Sequence, residues 1–560
     1  MLRFSNDPNV AESQMHAVIF FLTTFGYIDG DFDQSEKSYV RSQIGKLVTE
    51  RVEAAISDAA MRAELIDKYT RHFNEVFEGI DQRVKDLLTE PVAAGEDQAT
   101  FVHTKLKQQC FEILQSFDRD GQEQLLSAID ELIVADGEVH PAEVKFRAEM
   151  SALLEADLGV ELVEEGGAKP QVRVTAPVAA PRVLETHPFF EPFEHHYSAD
   201  KKVIAQQIAA DRALLDRALS VIAEQRARGA GKLAGKKSVA EIAAGESFLD
   251  GHTYVQRSAP GKRYELLVLG DLHGCYSVLK AAILQSRFFE KVNAFRADPA
   301  NNPEPKLILL GDYIDRGLFS LNGVFRTVLQ LFVTAPEFVF PLRGNHEYYI
   351  EHQGKIYGGV SPSESINSLK PLVPMDAFRH YMQLFESMPN FLLFDELLFV
   401  HAGIPRDREI KAKWKDLSSL NDPDIRFQMM WSDPSKADVI PADLQDKSSR
   451  FAFGKLQFRA FMQKLGCHTL VRGHEKVAAG IERVYDGDEG TLITLFSAGG
   501  HDNNDLPENS GYRNVTPMAL TITHGPEGTV MTPWAPDYRA YNDPARNAFF
   551  KVPPEIEHRA

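Results

Sequence analysis

Five short apolar runs in the second half of the chain each end in a cluster of Asp, His, Asn or Arg. YELLVLGDLHG sets Leu266 to Leu269 directly before Asp271 and His273. KLILLGDYIDRG repeats the arrangement before Asp312, Asp315 and Arg316, and FVFPLRGNHE before Asn345 and His346. LLFVHAGIP places His401 after its run, and HTLVRGHE does the same for His474. Carboxylates, imidazoles and an amide oxygen together suit manganese, iron or zinc in octahedral-like sites, rather than calcium or a thiolate-bound zinc. Two such cations close together need a bridging ligand, which an Asp carboxylate provides, and they acidify a shared water into a nucleophile for phosphorus. A phosphate dianion also needs cations to neutralise charge as it builds, and a bidentate Arg is suited to this. The elements that must position these groups are buried strands. Several strands delivering polar groups at their carboxyl ends is how an α/β sheet builds a site along one rim.

In this order, GDLHG, GDYIDRG, GNHE, HAG and RGH resemble the five signature blocks of the phosphoprotein phosphatase (PPP) family. WSDP at Trp431 to Pro434 and FSA at Phe496 to Ala498 extend the resemblance to its protein-phosphatase branch. The likeness covers roughly residues 262–525. It implies a calcineurin-like metallophosphatase, a β-sandwich of mixed sheets flanked by helices, that hydrolyses phosphoserine and phosphothreonine in proteins. Position by position, it implies that Asp271, His273 and Asp312 bind one divalent metal. Asp312 would bridge to a second metal completed by Asn345, His401 and His474, with manganese expected and iron or zinc as alternatives. His346 would be the general acid, its other ring nitrogen held by Asp315, and Arg316 would clamp the phosphate. Arg343 and Glu347 would be buried supports of that loop. The family also has a second phosphate-binding Arg between WSDP and RGH, and Arg450 in SSRFAFG is the candidate. The family's SAPNYC segment is replaced by SAGGHDNNDLPENSGYRN, so Tyr512 either takes the place of a site-facing tyrosine or sits on a loop. A changed rim loop keeps a rival open, cleavage of diadenosine polyphosphates or other small phosphoanhydrides by the same site. A non-catalytic scaffold is the rival of another class, and the intact ligand set speaks against it.

The first half has another texture. Residues from about 10 to 157 carry helical periodicity, as in KSYVRSQIGKLVTERVEAAI and QEQLLSAIDELIVADG. FLTTFGYIDGDFDQSE and IDELIVADGEVHPAE echo each other, each with Asp-Gly and then Glu seven residues after the Asp. Gly30 and Gly137 suit a left-handed helix end, and Ser35 or Pro141 suits the start of the next helix. The loop is no EF-hand, since Gln34 and Val40 stand where Gly and Glu belong. The doubled pattern resembles the helical TerB (tellurite-resistance) family, which implies a cation site among Asp29, Asp31, Glu36, Asp136, Glu138 and Glu143. Two helical hairpins with acidic turns are the plainer reading. Residues 164–185 read as an Ala/Pro-rich linker, 198–228 as one helix, and RARGAGKLAGKK as a solvated connection. The expected organisation is a helical domain over 1–160, linker and connecting helix over 161–260, metallophosphatase over 261–530, and a tail over 531–560.

With 80 acidic and 61 basic residues the net charge is −19, which argues against nucleic-acid and anionic-membrane partners as the default. A phosphoprotein substrate is what the PPP resemblance implies. Cys110, Cys275 and Cys467 form no paired motif, as expected in a reducing compartment. The opening MLRFSNDPNVAESQ lacks a basic-then-apolar leader, and the His16 to Ile28 run is too short to span a bilayer. A cytoplasmic location is the expectation.

Overall fold

The computed structural model describes residues 4, 7–28, 32–87, 92, 93, 96–134, 141–155, 172–181, 183 and 185–559. The chain divides into two compact units, Met1–Val160 with Ser435–Gly454, and Glu161–Pro434 with Lys455–Ala560. Among the described residues no helix is long and apolar enough to cross a membrane.

The first unit is helical: α1 (Pro8–Gly26), α2 (Gln34–Ala55), α3 (Ala59–Leu87), α4 (Gln98–Gln115), α5 (Arg119–Leu132) and α6 (Pro141–Glu155). Phe21, Phe25, Phe77, Phe101, Phe111, Ile129 and Phe146 form its core, all 0–1% exposed. Asp33, two residues before the expected Ser35, starts α2. Its carboxylate accepts from Glu36 N at 2.8 Å while Glu36 Oε2 accepts from Asp33 N at 2.9 Å, a reciprocal capping box. Each echoing segment does join two helices, α1 to α2 and α5 to α6. Asp29, Gly30, Asp31, Asp136, Gly137 and Glu138 lie outside the described residues, and Glu36 and Glu143 are buried. The Ser435–Gly454 segment enters this helical core through Ala437, Ile440, Leu444 and Ala452, and Ser449 N donates to Glu96 Oε1 at 3.2 Å.

The second unit has two seven-stranded mixed sheets that share one apolar core. In the first sheet, Tyr264–Leu269, Glu304–Leu309 and Val339–Pro341 run parallel, with Leu269 opposite Leu309 and Leu309 opposite Pro341. Ala519–Gly525 and Gly528–Ala535 extend it antiparallel. Val172–Val174, inside the stretch read as linker, adds a parallel edge strand along Thr529–Met531. Its β-branched side chains suit a pleated, half-buried edge, and Ala/Pro composition alone hides that. The second sheet aligns Leu397–Val400, Thr469–Arg472 and Gly490–Leu495 in parallel, with Phe399 opposite Val471 and Val471 opposite Ile493. Each of the five apolar runs that end in a polar cluster is thus a strand. Phe391, Phe394 and Phe399 are strand residues, whereas Phe385 lies on the Met375–Ser387 helix.

Helix α7 (Lys201–Gly229) covers the core, capped by Asp200, whose carboxylate accepts from Lys202 N and Val203 N. The glycine-rich connection after it is largely exposed, as expected, but it is pinned at two points. Asp250 accepts from Gly231 N at 3.1 Å and Leu233 N at 2.8 Å, and Leu233 is fully buried. A Cβ on Gly229 would stand 2.1 Å from Leu249 O, so the chain can pass there only as glycine. Those amides are consumed by Asp250 and offer nothing to a phosphate.

One buried ion pair links α7 to the core. Arg326 Nε and Nη2 donate to the two oxygens of Asp211 at 2.8 and 3.1 Å, and Tyr197 Oη donates to the same carboxylate at 2.6 Å. Both charged residues are 5% exposed. Removing one partner strands the other charge in low dielectric, so Asp211→Ala should destabilise the second unit by about 3–5 kcal/mol. All three tryptophans, Trp414, Trp431 and Trp534, belong to that unit, so tryptophan fluorescence during urea unfolding reads it selectively. Asp211→Leu combined with Arg326→Met should recover most of the loss. A cost below about 1 kcal/mol, the size expected of an exposed pair, would show that the bridge is not buried in solution.

Candidate metal centre

The strand ends meet at one place. Asp271, just past Tyr264–Leu269, is joined by an isolated parallel bridge to Phe496, just past Gly490–Leu495, which ties the rims of the two sheets together. Close approach at this rim requires glycine: a Cβ on Gly344 would lie 2.2 Å from Asp312 Oδ1, and one on Gly473 would lie 2.1 Å from Asp271 Oδ1. Among the described residues eight non-glycines have left-handed φ, and five are His273 (41°), Asp312 (53°), Asp315 (66°), Arg316 (66°) and His474 (72°). Such conformations cost about 1–3 kcal/mol each and persist only where the surroundings over-determine them. Glu347 does much of this. Its carboxylate accepts from Asp312 N at 2.8 Å, Tyr313 N at 2.9 Å and Gly344 N at 3.0 Å. Arg343 Nε in turn donates to Glu347 O at 2.9 Å, so both residues brace the loop.

Two groups of donor atoms converge on Asp312. His273, Asp312 and His346 form one, and Asp312, His401 and His474 the other, with the ligand atoms of each group within 4.8 Å of one another. His273 Nε2 lies 3.5 Å from Asp312 Oδ2 and 3.7 Å from Asp271 Oδ2. His401 Nε2 lies 3.4 Å from Asp312 Oδ1. Asn345 completes the second group, its amide 2.8 Å from His401 Nε2 and 3.1 Å from His474 Nδ1. The tautomers are set from behind: His273 Nδ1 donates to Ile314 O at 2.9 Å and His401 Nδ1 to Leu310 O at 3.0 Å. Each Nε2 therefore turns a lone pair inward, the usual arrangement behind a metal-binding imidazole.

The donor set fits cations. Burial pushes the Asp271 carboxyl up to about 7, and burial with the neighbouring Asp271 charge pushes Asp312 well above the carboxylate range. Desolvation holds His273 and His401 well below the usual imidazole value, so both stay neutral. Asp271 Oδ2 is buried and has no hydrogen-bond partner among the described residues. Facing carboxylates and imidazole lone pairs without compensating charge is costly, and divalent ions invert that balance.

Beside this centre, His346 Nδ1 is 2.8 Å from Asp315 Oδ2, and its Nε2 is 3.9 Å from Asp312 Oδ2. Arg316 is next in sequence, with Nη1 on Glu364 and Nη2 unpartnered among the described residues. Tyr512 does face the site: its ring stacks on His273 at 5.3 Å. The loop that carries it is anchored by buried Asp505, which accepts from Ser277 N at 2.6 Å, and by Arg513, which donates to the carbonyls of His501, Leu506 and Pro507. Arg450 belongs to the Ser435–Gly454 segment, which is part of the helical unit. Sequence reading missed Asp505, Glu364 and Ser365, which precede or follow no apolar run of the kind that marked the other residues. Cys275 is buried against Phe496 and Leu506, and Trp414 packs edge-on to Phe461, both as packing residues.

Residues 264–478 match the family model of the calcineurin-like phosphoesterases. Among solved structures, a serine/threonine protein phosphatase of Saccharomyces cerevisiae with similarity to human phosphatase PP5 is 19% identical, with a TM-score of 0.37, over 59% of this chain and 90% of that one. The purple acid phosphatase PPD1 from yellow lupin seeds is 12% identical, with a TM-score of 0.24, over 52% of this chain and 57% of that one. The family match spans all five strand ends that build the centre, and the C-terminal half of the chain carries a calcineurin-like metallophosphatase domain.

Proposed function

We propose that the chain is a serine/threonine protein phosphatase that hydrolyses phosphomonoesters at this centre. The observation that carries the reading is the shared carboxylate of Asp312, which stands in both donor groups. Asp271, His273 and Asp312 would hold one divalent ion, and Asp312, Asn345, His401 and His474 the other. Two divalent ions so held supply Lewis acidity toward phosphate and an acidified water. The chain's own residues do the rest. His346 donates Nδ1–H to the Asp315 carboxylate, whose charge favours the imidazolium, and in that form Nε2 carries the proton that can go to the departing seryl or threonyl oxygen. Arg316 offers the unpartnered Nη2 to a phosphate oxygen, and its burial makes that donor strong. Arg450 is the second cation in this reading, and Tyr512 walls the site beside His273. The TerB-like character of the helical unit belongs to the same proposal.

Asp312→Asn or His273→Ala should reduce turnover with added manganese to below about 1% of wild type, given that one preorganised charge group alone is worth about 10²–10³-fold. Circular dichroism should show an unchanged fold. Turnover above a few per cent with the fold intact would count against the two-ion centre. On a phosphoserine peptide the protein should be far more active than on diadenosine tetraphosphate, and the reverse preference would replace this reading with the phosphoanhydride one.

His346→Asn should hurt most where the leaving oxygen is basic. Turnover of a phosphoserine peptide should fall about 10²–10⁴-fold, and that of an activated aryl phosphate much less. Equal losses on both would remove His346 from the proton-donor role.

A further inference from the structure

Asp315 and Arg316 are consecutive, both have left-handed backbones, and both are held from the same place. Ser365 N donates to Asp315 Oδ1 at 2.9 Å. Glu364, one residue earlier, accepts from Arg316 Nη1 at 3.0 and 2.8 Å through its two carboxylate oxygens, and Pro362 O accepts from the same Nη1 at 2.9 Å. Glu364 and Ser365 are 6% and 7% exposed, at the start of the short Glu364–Leu369 helix. Three acceptor contacts therefore converge on one guanidinium nitrogen, while Nη2, also buried, has no partner among the described residues.

We propose that Glu364 and Ser365 are a positioning pair for the phosphate-binding side of the centre. This rests on the reading of Arg316 as a phosphate clamp. A guanidinium is planar, so fixing Nη1 on Glu364 and Pro362 fixes the direction in which Nη2 points. Ser365 does the same one residue back: it holds Asp315 Oδ1 so that Oδ2 is left for His346 Nδ1 at 2.8 Å. One two-residue segment thereby sets both the proton donor's orienter and the anion's binding partner. Glu364 does not compete for the donor that the phosphate needs, because both its oxygens sit on Nη1.

The test is a double-mutant cycle on the full chain with added manganese. Kinetics on a phosphoserine peptide and an aryl phosphate are read together with inhibition by inorganic phosphate. A clamp misplaced by about 1 Å loses up to about 100-fold. Glu364→Ala should therefore lower kcat/KM by about 10- to 100-fold and weaken inhibition by phosphate in parallel. In the Arg316→Ala background the same change should add less than about twofold, because the group it positions is gone. Glu364→Gln, which keeps an acceptor oxygen for Nη1, should recover much of the loss and serves if the alanine variant folds poorly. Additive losses with unchanged phosphate inhibition would mean a role in folding only and would overturn the inference. So would faster turnover in Glu364→Ala, which would mark Glu364 as a competitor for Arg316. An impaired Arg316→Ala beside an inert Glu364→Ala would overturn the positioning role alone. An inert Arg316→Ala would remove clamp and positioning pair together.

Discussion

The constraint on which the centre depends is the burial of several carboxylates and imidazoles against one another around Asp312. Asp312 is 2% exposed and has Asp271, His273, His346 and His401 about it. A protein interior tolerates such a group only if positive charge enters it, because the electrostatic cost of unpaired buried charge rises steeply as dielectric falls. Everything nearby serves to hold these groups in place against that cost. Glu347 fastens three backbone amides, carbonyls of Ile314 and Leu310 fix the imidazole tautomers, and Arg472, fully buried, reaches Asp433 at 3.0 Å. The left-handed backbones of five site residues are part of the same arrangement. Strain concentrates where side chains must turn sharply off a strand end into a common space.

This explains the architecture. Two sheets with register-matched parallel strands bring five strand ends to one rim, and the Asp271–Phe496 bridge closes the rim between them. Glycines at 344 and 473 let backbone pass within contact of the Asp312 and Asp271 carboxylates. The loop at 499–514 supplies Tyr512; it is held by the polar contacts of Asp505 and Arg513 and by Leu506 and Tyr512 packing with Cys275, Phe496 and Val515.

The Ser435–Gly454 segment gives the helical unit a second physical meaning. It lies in sequence between two of the signature blocks, yet Ala437, Ile440, Leu444 and Ala452 are buried in the same core as the helices. The helical unit is thus assembled from two stretches of chain, Met1–Val160 and Ser435–Gly454.

The sequence by itself determined the strands and what they end in. A buried parallel strand is a continuous apolar run, and a polar cluster directly after it has nowhere to go but the rim, so Asp271, Asp312, Asn345, His401 and His474 were legible by local pattern. The helical character of the first half was legible for the same reason, through periodicity. The resemblance had already named Asp312 as the shared carboxylate, whereas only the tertiary structure decided that Val172–Val174 is an edge strand. It also decided that Gly231 and Leu233 are tied to Asp250, and that Ser435–Gly454 joins the helical core. The contacts of Glu364 and Ser365 lie in this class too: they reach 48 and 50 residues back along the chain, to Arg316 and Asp315. Such pairings carry no local signature, because a hydrogen bond between distant segments depends on where the fold brings them and not on the residues beside either one.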